Sequence, residues 1–204
     1  MNVLDRWGIS VDELDEVIKA NPSMYGLMLG YIAEHKLQRM LESNRRITGI
    51  VKPDDHDRTA GSNKADLVIT YHDVDVRVQV KSLQTTLVKE MIPGEMYVGR
   101  FQCDASDRRE IELPNGERVN TTCLKVGDFD LLAVNLFEFG QKWRFVFAHN
   151  ADLPRSTYRK YSPEARGYLL ASTMRVSWPP AEPYQATYDA LLDRIVAEKM
   201  QSSK

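Results

Sequence analysis

The sequence predicts one mixed α/β (α+β) domain in which a central mixed β-sheet is flanked by helices. An apolar helical segment runs from about residue 22 to 44, an alternating β-hairpin covers 65–82, and helical segments follow the later apolar strands. Helices on both sides of a group of strands are typical of such a layered domain. We expect a single domain over residues 1–204, with its core at about 22–150 and a C-terminal helical extension at about 160–204.

The first helix carries an acidic residue on its apolar face. Asn21 is a suitable cap, and Pro22 fits the first helical position, where no N–H is needed. Glu34 shares its helical face with four apolar or aromatic residues, namely Leu27, Tyr31, Leu37 and Leu41. A carboxylate among apolar side chains is costly unless it is paired or binds a metal. Glu34 is therefore a candidate functional residue.

The hairpin has the clearest pattern in the chain. Its predicted strands, 65–71 and 74–82, are joined by His72 and Asp73. In the second strand valines alternate with polar residues, so Gln79 and Lys81 project from one face. With His72 and Asp73 as the loop, Asp66 lies opposite Gln79. Directly opposed residues share a face, so an acid, an amide and an amine are expected to converge there.

The remaining segments complete the predicted fold. A polar loop covers residues 53–64, and Asn115-Gly116 indicates a second hairpin. Two apolar strands are predicted at 129–139 and 143–149, with a turn at Gly140-Gln141. Helices are predicted from Ser162 to about residue 172, and from about 184 to 200. The stretch 83–107 has no clear pattern.

The residue types at the hairpin suit phosphodiester hydrolysis. Mg²⁺ prefers oxygen ligands, which the carboxylate of Asp66, the amide of Gln79 and the main-chain carbonyl of Val80 all supply. Lys81 can stabilise negative charge on phosphorus or position the attacking water. Exposed strands often carry such residues, however, and an Asp66–Lys81 ion pair is the structural alternative. The register and the out-of-place Glu34 favour a functional site.

Bulk properties exclude several classes of protein. The formal net charge of −2 argues against a protein that coats nucleic acid non-specifically, although a local basic groove remains compatible. No apolar run approaches the roughly 20 residues that span a bilayer. The N-terminus lacks a secretion signal, and Cys103 and Cys123 show no CxxC spacing, so we expect a cytoplasmic protein. A zinc site that joins these cysteines to His35 or His149 matches no common spacing.

These motifs resemble the PD-(D/E)xK nuclease superfamily. Its signature is an aspartate, a hairpin, and then Glu or Gln followed two residues later by lysine. Here Ala65-Asp66-Leu67 precedes the turn, and Val78-Gln79-Val80-Lys81-Ser82 follows it. The resemblance covers about residues 24–150. Gln79 replaces the more common second acid, and Ala65 stands where the family name has proline.

The resemblance implies a restriction-endonuclease-like core and a Mg²⁺-dependent DNA endonuclease of restriction or homing type, for which Mn²⁺ can substitute. Asp66 and Gln79 are then metal ligands, Lys81 is the catalytic lysine and Glu34 is an accessory acid. A homodimer is expected, since cutting both strands requires two active sites. The alternatives are a structure-selective junction or repair nuclease, and a catalytically weak nuclease-like module that binds DNA or protein.

Several residues are candidates for DNA contacts. They lie beside the motif or follow it in the chain: Lys64, Ser82, Lys89, Arg100, Arg108 and Arg109. Basic side chains bind phosphates or read base edges. Solvated surface charge is the alternative interpretation for each of them.

Overall fold

The computed structural model describes residues 1–53 and 65–202. The helices in this part are α1 (Val3–Trp7), α2 (Val11–Ala20), α3 (Pro22–Glu42), α4 (Pro163–Tyr168) and α5 (Asp189–Ser202). The strands are β1 (Ile47–Val51), β2 (Leu67–Tyr71), β3 (Val74–Ser82), β4 (Lys89–Ile92), β5 (Met96–Gln102), β6 (Asp104–Glu112), β7 (Arg118–Cys123), β8 (Leu131–Asn135), β9 (Phe145–His149) and β10 (Thr173–Trp178). Residues 54–64 of the predicted polar loop, among them Lys64, lie outside the described residues.

A five-stranded mixed sheet forms the centre of the fold. Its strand order is β1-β2-β3-β8-β9, in which β3 and β8 are parallel and every other neighbouring pair is antiparallel. A second sheet has the order β10-β5-β4, and β6 pairs with β7. The predicted fold class, a mixed sheet flanked by helices, is confirmed.

The central sheet is covered on both faces. Alternate residues of β3 and β8 pack against α3 and α5, which contribute Leu37, Leu41 and Leu192 to one core. The opposite face meets the second sheet, where Phe101 of β5 packs in a core with Leu132 of β8. Two hydrophobic layers therefore hold β3 between helices and strands.

The apolar stripe predicted on α3 is only half buried. Leu37 and Leu41 are fully buried, as expected, but Leu27 and Tyr31 are 62% and 49% exposed. The N-terminal half of α3 extends past the sheet and contacts α2 instead. Neither α1 nor α2 was predicted, although each begins with a capping box, Asn2 with Asp5 and Ser10 with Glu13.

The C-terminal region differs from the predicted helical extension. Ser162 caps α4 as expected, but the helix ends at Tyr168 because Leu169 and Leu170 form bridges with other segments. The chain then forms β10, which pairs with β5 along its length. The final helix begins at Asp189, later than predicted, because Gln185 is hydrogen-bonded to Phe147. The region therefore contains a strand as well as helices.

The other predicted turns are confirmed. Gly116 has a φ of 82° in the connection between β6 and β7, and Gly140 has a φ of 71° between β8 and β9. Both values lie in the left-handed region that glycine adopts readily.

Within residues 1–53 and 65–202, no helix has the length and apolar character needed to cross a membrane.

Candidate active site

The register of the β2–β3 hairpin is set by its two-residue turn. His72 and Asp73 have φ values of 49° and 60°, as both central residues of a type I′ turn require. Tyr71 therefore pairs with Val74 and Leu67 with Val78, which is the predicted register. Asp66 directly precedes β2, and its N–H donates to the carbonyl of Val78 at 3.1 Å. The pairing ends at Leu67 and Val78, and Asp66 and Gln79 are the next residue beyond it on each side.

The carboxylate of Asp66 and the amide of Gln79 are in direct contact. The Nε2 of Gln79 donates to Oδ2 of Asp66 at 2.5 Å. The main-chain N–H of Val80 donates to the same oxygen at 2.6 Å. Both hydrogen bonds that reach this carboxylate from the described residues end on Oδ2. This leaves Oδ1 of Asp66 and Oε1 of Gln79 as acceptors for a ligand.

Burial makes Asp66 an unusual carboxylate. Desolvation raises its pKa from 3.8 to about 6, and the negative charge of Glu34 adds to this effect. The Val80 N–H and the positive charges of Lys81 and Lys52 act in the opposite direction. A nearby cation stabilises the ionised form of a carboxyl group that burial otherwise disfavours. Strongly perturbed titratable groups are concentrated at functional sites.

Lys81 lies on the same side of the sheet as Asp66. Its Nζ donates to the main-chain carbonyl of Asp104 at 3.0 Å, and its charge lowers the pKa values of both Asp66 and Asp104. It forms no direct ion pair with a carboxylate in the part of the chain that the structure describes. The alternative interpretation of the motif was an Asp66–Lys81 ion pair. The Lys81 amine is held by the Asp104 carbonyl instead. Asp104, whose pKa burial raises, was not predicted at the site.

Glu34 approaches Asp66 from α3 and carries its own counter-ion. Its Oε2 lies 2.6 Å from Nζ of Lys52, the residue that follows β1. The Glu34 side chain is only 17% exposed, and the Lys52 amine also lies 4.9 Å from the ring centroid of Tyr31. The negative charge of Glu34 makes a minor contribution to the raised pKa of Asp66. No sequence pattern indicated the Lys52 contact, since it depends on how α3 crosses β1.

The donor set at this site suits a hard divalent cation. Asp66 and Gln79 present a carboxylate oxygen and an amide oxygen side by side. In a strand, the N–H and C=O of one residue point toward the same neighbouring strand. The Val80 N–H donates to Asp66, so the Val80 carbonyl also points toward the strand that follows Asp66. Among residues 1–53 and 65–202, no cluster of three or more His, Cys, Asp or Glu side chains could hold a metal. Any metal here would rely on the amide and main-chain oxygens as well as one close carboxylate.

Most of the candidate DNA contacts do not lie beside the motif. Ser82 ends β3 beside Lys81, and its Oγ accepts a hydrogen bond from Asn135 at 3.2 Å. Lys89 and Arg100 are exposed on β4 and β5. Arg108 is exposed on β6, where Arg109 lies 3.9 Å from Asp128. Only Ser82 of these described residues is a close neighbour of the motif in sequence and structure.

Comparisons with known proteins give limited information. No family model matches the chain, and no curated protein matches it. This chain is similar to the solved structure of a bacterial homing endonuclease, I-Ssp6803I, with 23% sequence identity and a TM-score of 0.35. The match covers 69% of this chain and 85% of the chain in that structure. At that TM-score the activity has to be argued from the residues of this chain.

Proposed function

We propose that this protein is a metal-dependent nuclease that hydrolyses phosphodiester bonds in DNA. One observation supports this most strongly: the desolvated carboxylate of Asp66 contacts the amide of Gln79, and the Lys81 amine lies on the same side of the sheet. An acid, an amide oxygen and an amine in this arrangement suit phosphoryl transfer, where charge develops on non-bridging oxygens.

Asp66, Gln79 and the Val80 carbonyl would hold the cation, with Mg²⁺ as the natural ion and Mn²⁺ as a substitute. When bound, a divalent cation supplies a Lewis acid for the phosphoryl oxygen and lowers the pKa of a coordinated water. Oδ2 of Asp66 is already fixed by two hydrogen bonds, so the carboxylate needs little reorganisation to present Oδ1. Preorganised groups of this kind stabilise a transition state without a cost at the moment of reaction.

The two lysines have different roles in this proposal. Lys81, held by the Asp104 carbonyl, points its charge toward the phosphoryl group and orients the attacking water. Lys52 neutralises Glu34, so that a second carboxylate can lie near Asp66. Glu34 then acts as an accessory acid that accepts a hydrogen bond from water at the site. Each polar side chain of the site thus has a role in binding the cation, the water or the phosphoryl group.

We further propose an endonuclease of restriction or homing type that acts as a homodimer, since a double-strand cut needs two such sites. The direct test is incubation with plasmid and linear DNA in Mg²⁺, followed by gel analysis, with EDTA as the control. Discrete bands are expected. A smear would contradict site specificity, and preferential cutting of four-way junctions would indicate a structure-selective nuclease.

A catalytically weak nuclease-like binding module is the second candidate. It is favoured by Gln79, which is neutral and gives a metal one fewer negative ligand than an acid would. This candidate predicts DNA binding that EDTA does not change and intact DNA after prolonged incubation with Mg²⁺.

Gln79→Glu tests the role of the amide directly. The variant adds a second carboxylate beside Asp66, so we expect cleavage to reach half its maximum at a several-fold lower Mg²⁺ concentration. Without metal, two adjacent carboxylates repel each other, and the melting temperature at alkaline pH should fall and recover when Mg²⁺ is added. Cleavage and melting are both followed in a Mg²⁺ titration. Gln141→Glu, in an exposed turn, is the control, and an unchanged Mg²⁺ dependence would argue against a ligand at position 79.

A further inference from the structure

The second sheet has one buried face and one exposed face. Tyr97 and Phe101 of β5 and Met174 of β10 face the core. The alternate residues face outward, and Arg100 and Arg175 are exposed there. We call the outward face of β10-β5-β4 the outer face, defined by Lys89, Arg100, Gln102, Thr173 and Arg175.

Arg100 and Arg175 are directly opposite each other in the antiparallel pair of β5 and β10. Directly opposed residues have Cβ atoms about 4.5–5.5 Å apart, and like charges at such positions destabilise a sheet. No carboxylate in the described part of the chain forms an ion pair with either arginine, and no hydrogen bond from that part reaches either guanidinium group. The fold thus holds two positive charges together without a countercharge from the described residues.

Lys89 adds a third positive charge on the neighbouring strand β4, and we call Arg175, Arg100 and Lys89 the positive stripe. It is exposed and lies opposite Val98, which belongs to the same face of β5 as Arg100. The neighbouring acid, Glu90, pairs with Tyr97 on the other face, and its Oε1 accepts the Gly94 N–H at 2.7 Å. The only acidic side chain of β4 is therefore directed away from the stripe.

The outer face lies along the strand that leads to the candidate active site. β5 ends at Gln102, and two residues later the carbonyl of Asp104 accepts the Lys81 amine. At roughly 3.3 Å per residue, Arg100 lies about 13 Å of extended chain from Asp104. A duplex extends in both directions from the phosphate that Lys81 would contact and carries one charge per about 1.7 Å of its axis, so it has further phosphates at this distance.

We propose that the outer face binds the phosphate backbone of duplex DNA, with Arg100 and Arg175 as a pair of phosphate contacts and Lys89 beside them. This rests on the proposed nuclease function, because the polyanion is taken to be the same DNA that enters the site. The bound phosphates supply the countercharge that the described residues do not. Gln102 and Thr173, which are opposite each other on the same face, add neutral hydrogen-bond donors.

The test is the salt dependence of binding. A fluorescent duplex of random sequence is titrated with the full chain in EDTA, where cleavage is excluded, at several salt concentrations. Each phosphate contact contributes about 0.9 to the slope of log K against log salt, so the double variant Arg100→Gln/Arg175→Gln should lower the magnitude of the slope by roughly 2. Its affinity at moderate salt should fall at least tenfold, while its melting temperature stays the same or rises.

The matched control is Arg118→Gln, which removes an exposed strand arginine that faces Glu110 and Glu112. It should leave the affinity and the slope unchanged. A double variant with the affinity and slope of the wild type would overturn the proposal, and the stripe would then fit an acidic protein surface instead. If the wild type binds DNA through these arginines but never cleaves it, the nuclease function fails while this inference stands.

Discussion

Lys81→Ala is expected to reduce DNA cleavage by about 10²–10³-fold, which is the usual cost of removing one preorganised group that stabilises transition-state charge. The Lys81 amine is held by a main-chain carbonyl and not by a carboxylate, so its loss breaks no ion pair among the described residues. The fold should therefore survive the change. The measurement is the single-turnover cleavage rate in saturating Mg²⁺, together with a melting curve.

Lys142→Ala, in the exposed turn between β8 and β9, is the matched control and should cleave at the wild-type rate. DNA binding in EDTA should be nearly unchanged in Lys81→Ala, because the loss concerns the transition state and not the ground state. A variant that still cleaves at a rate close to that of the wild type would remove Lys81 from the proposed chemistry.

Asp66→Asn is expected to abolish cleavage and at the same time to stabilise the protein at alkaline pH. The substituted side chain keeps an oxygen that can accept from the Val80 N–H, but it lacks the charge that would hold the cation. Without the cation, the transition state loses several kcal/mol of stabilisation, which corresponds to a rate at least about 10²-fold lower. Cleavage and thermal or urea unfolding should be measured on the same preparations.

The stability effect follows from the direction of the pKa shift. Burial raises the pKa of Asp66 from 3.8 in the unfolded chain to about 6 in the folded protein. The folded state therefore binds this proton more tightly, and ionisation costs stability as the pH rises through this window. The cost is absent below about pH 4 and reaches the order of 1–3 kcal/mol above about pH 7, since each pKa unit is about 1.4 kcal/mol.

The amide introduced by Asp66→Asn cannot ionise, so the variant should melt several degrees above the wild type at pH 8, at about 2–4 °C per kcal/mol, and at the same temperature near pH 4. Mg²⁺ should stabilise the wild type at pH 8 but not the variant. Asp73→Asn is the control for a lost surface charge. Asp73 lies in the hairpin turn with a positive φ, which aspartate and asparagine both tolerate. Equal melting temperatures at all pH values would show that Asp66 is well solvated.

The sequence was sufficient for the hairpin because local rules determine its geometry. A two-residue turn fixes the register, and four alternating valines fix which face is buried, so the contact between Asp66 and Gln79 could be predicted. The 7% exposure of Gln79 could not be predicted, because burial depends on tertiary packing that the hairpin alone does not determine. For the same reason Asp104 was missed, although its carbonyl holds Lys81.

The differences between the predicted and observed elements have separate physical causes. The helix predicted from Ser162 ends early because Leu169 and Leu170 are drawn into bridges with Lys125 and Arg155. The six residues of β10 alternate between polar and apolar side chains, which is a strand pattern, and β10 pairs with β5 along its length. Tertiary contacts thus ended the predicted helix early, whereas local pattern and tertiary pairing agree in β10. At α3 the reverse happened, since a periodic apolar face continues beyond the part of the helix that the sheet covers.

The strand β3, which carries Gln79 and Lys81, lies at the centre of the five-stranded sheet. The strand is hydrogen-bonded to β2 on one side and β8 on the other, and both of its faces are covered. Its amide protons should therefore exchange with solvent only when the whole domain unfolds. Gln79 and Lys81 therefore lie on a rigid backbone, and under the proposed function the DNA or the peripheral loops would adjust to bring a scissile bond to them.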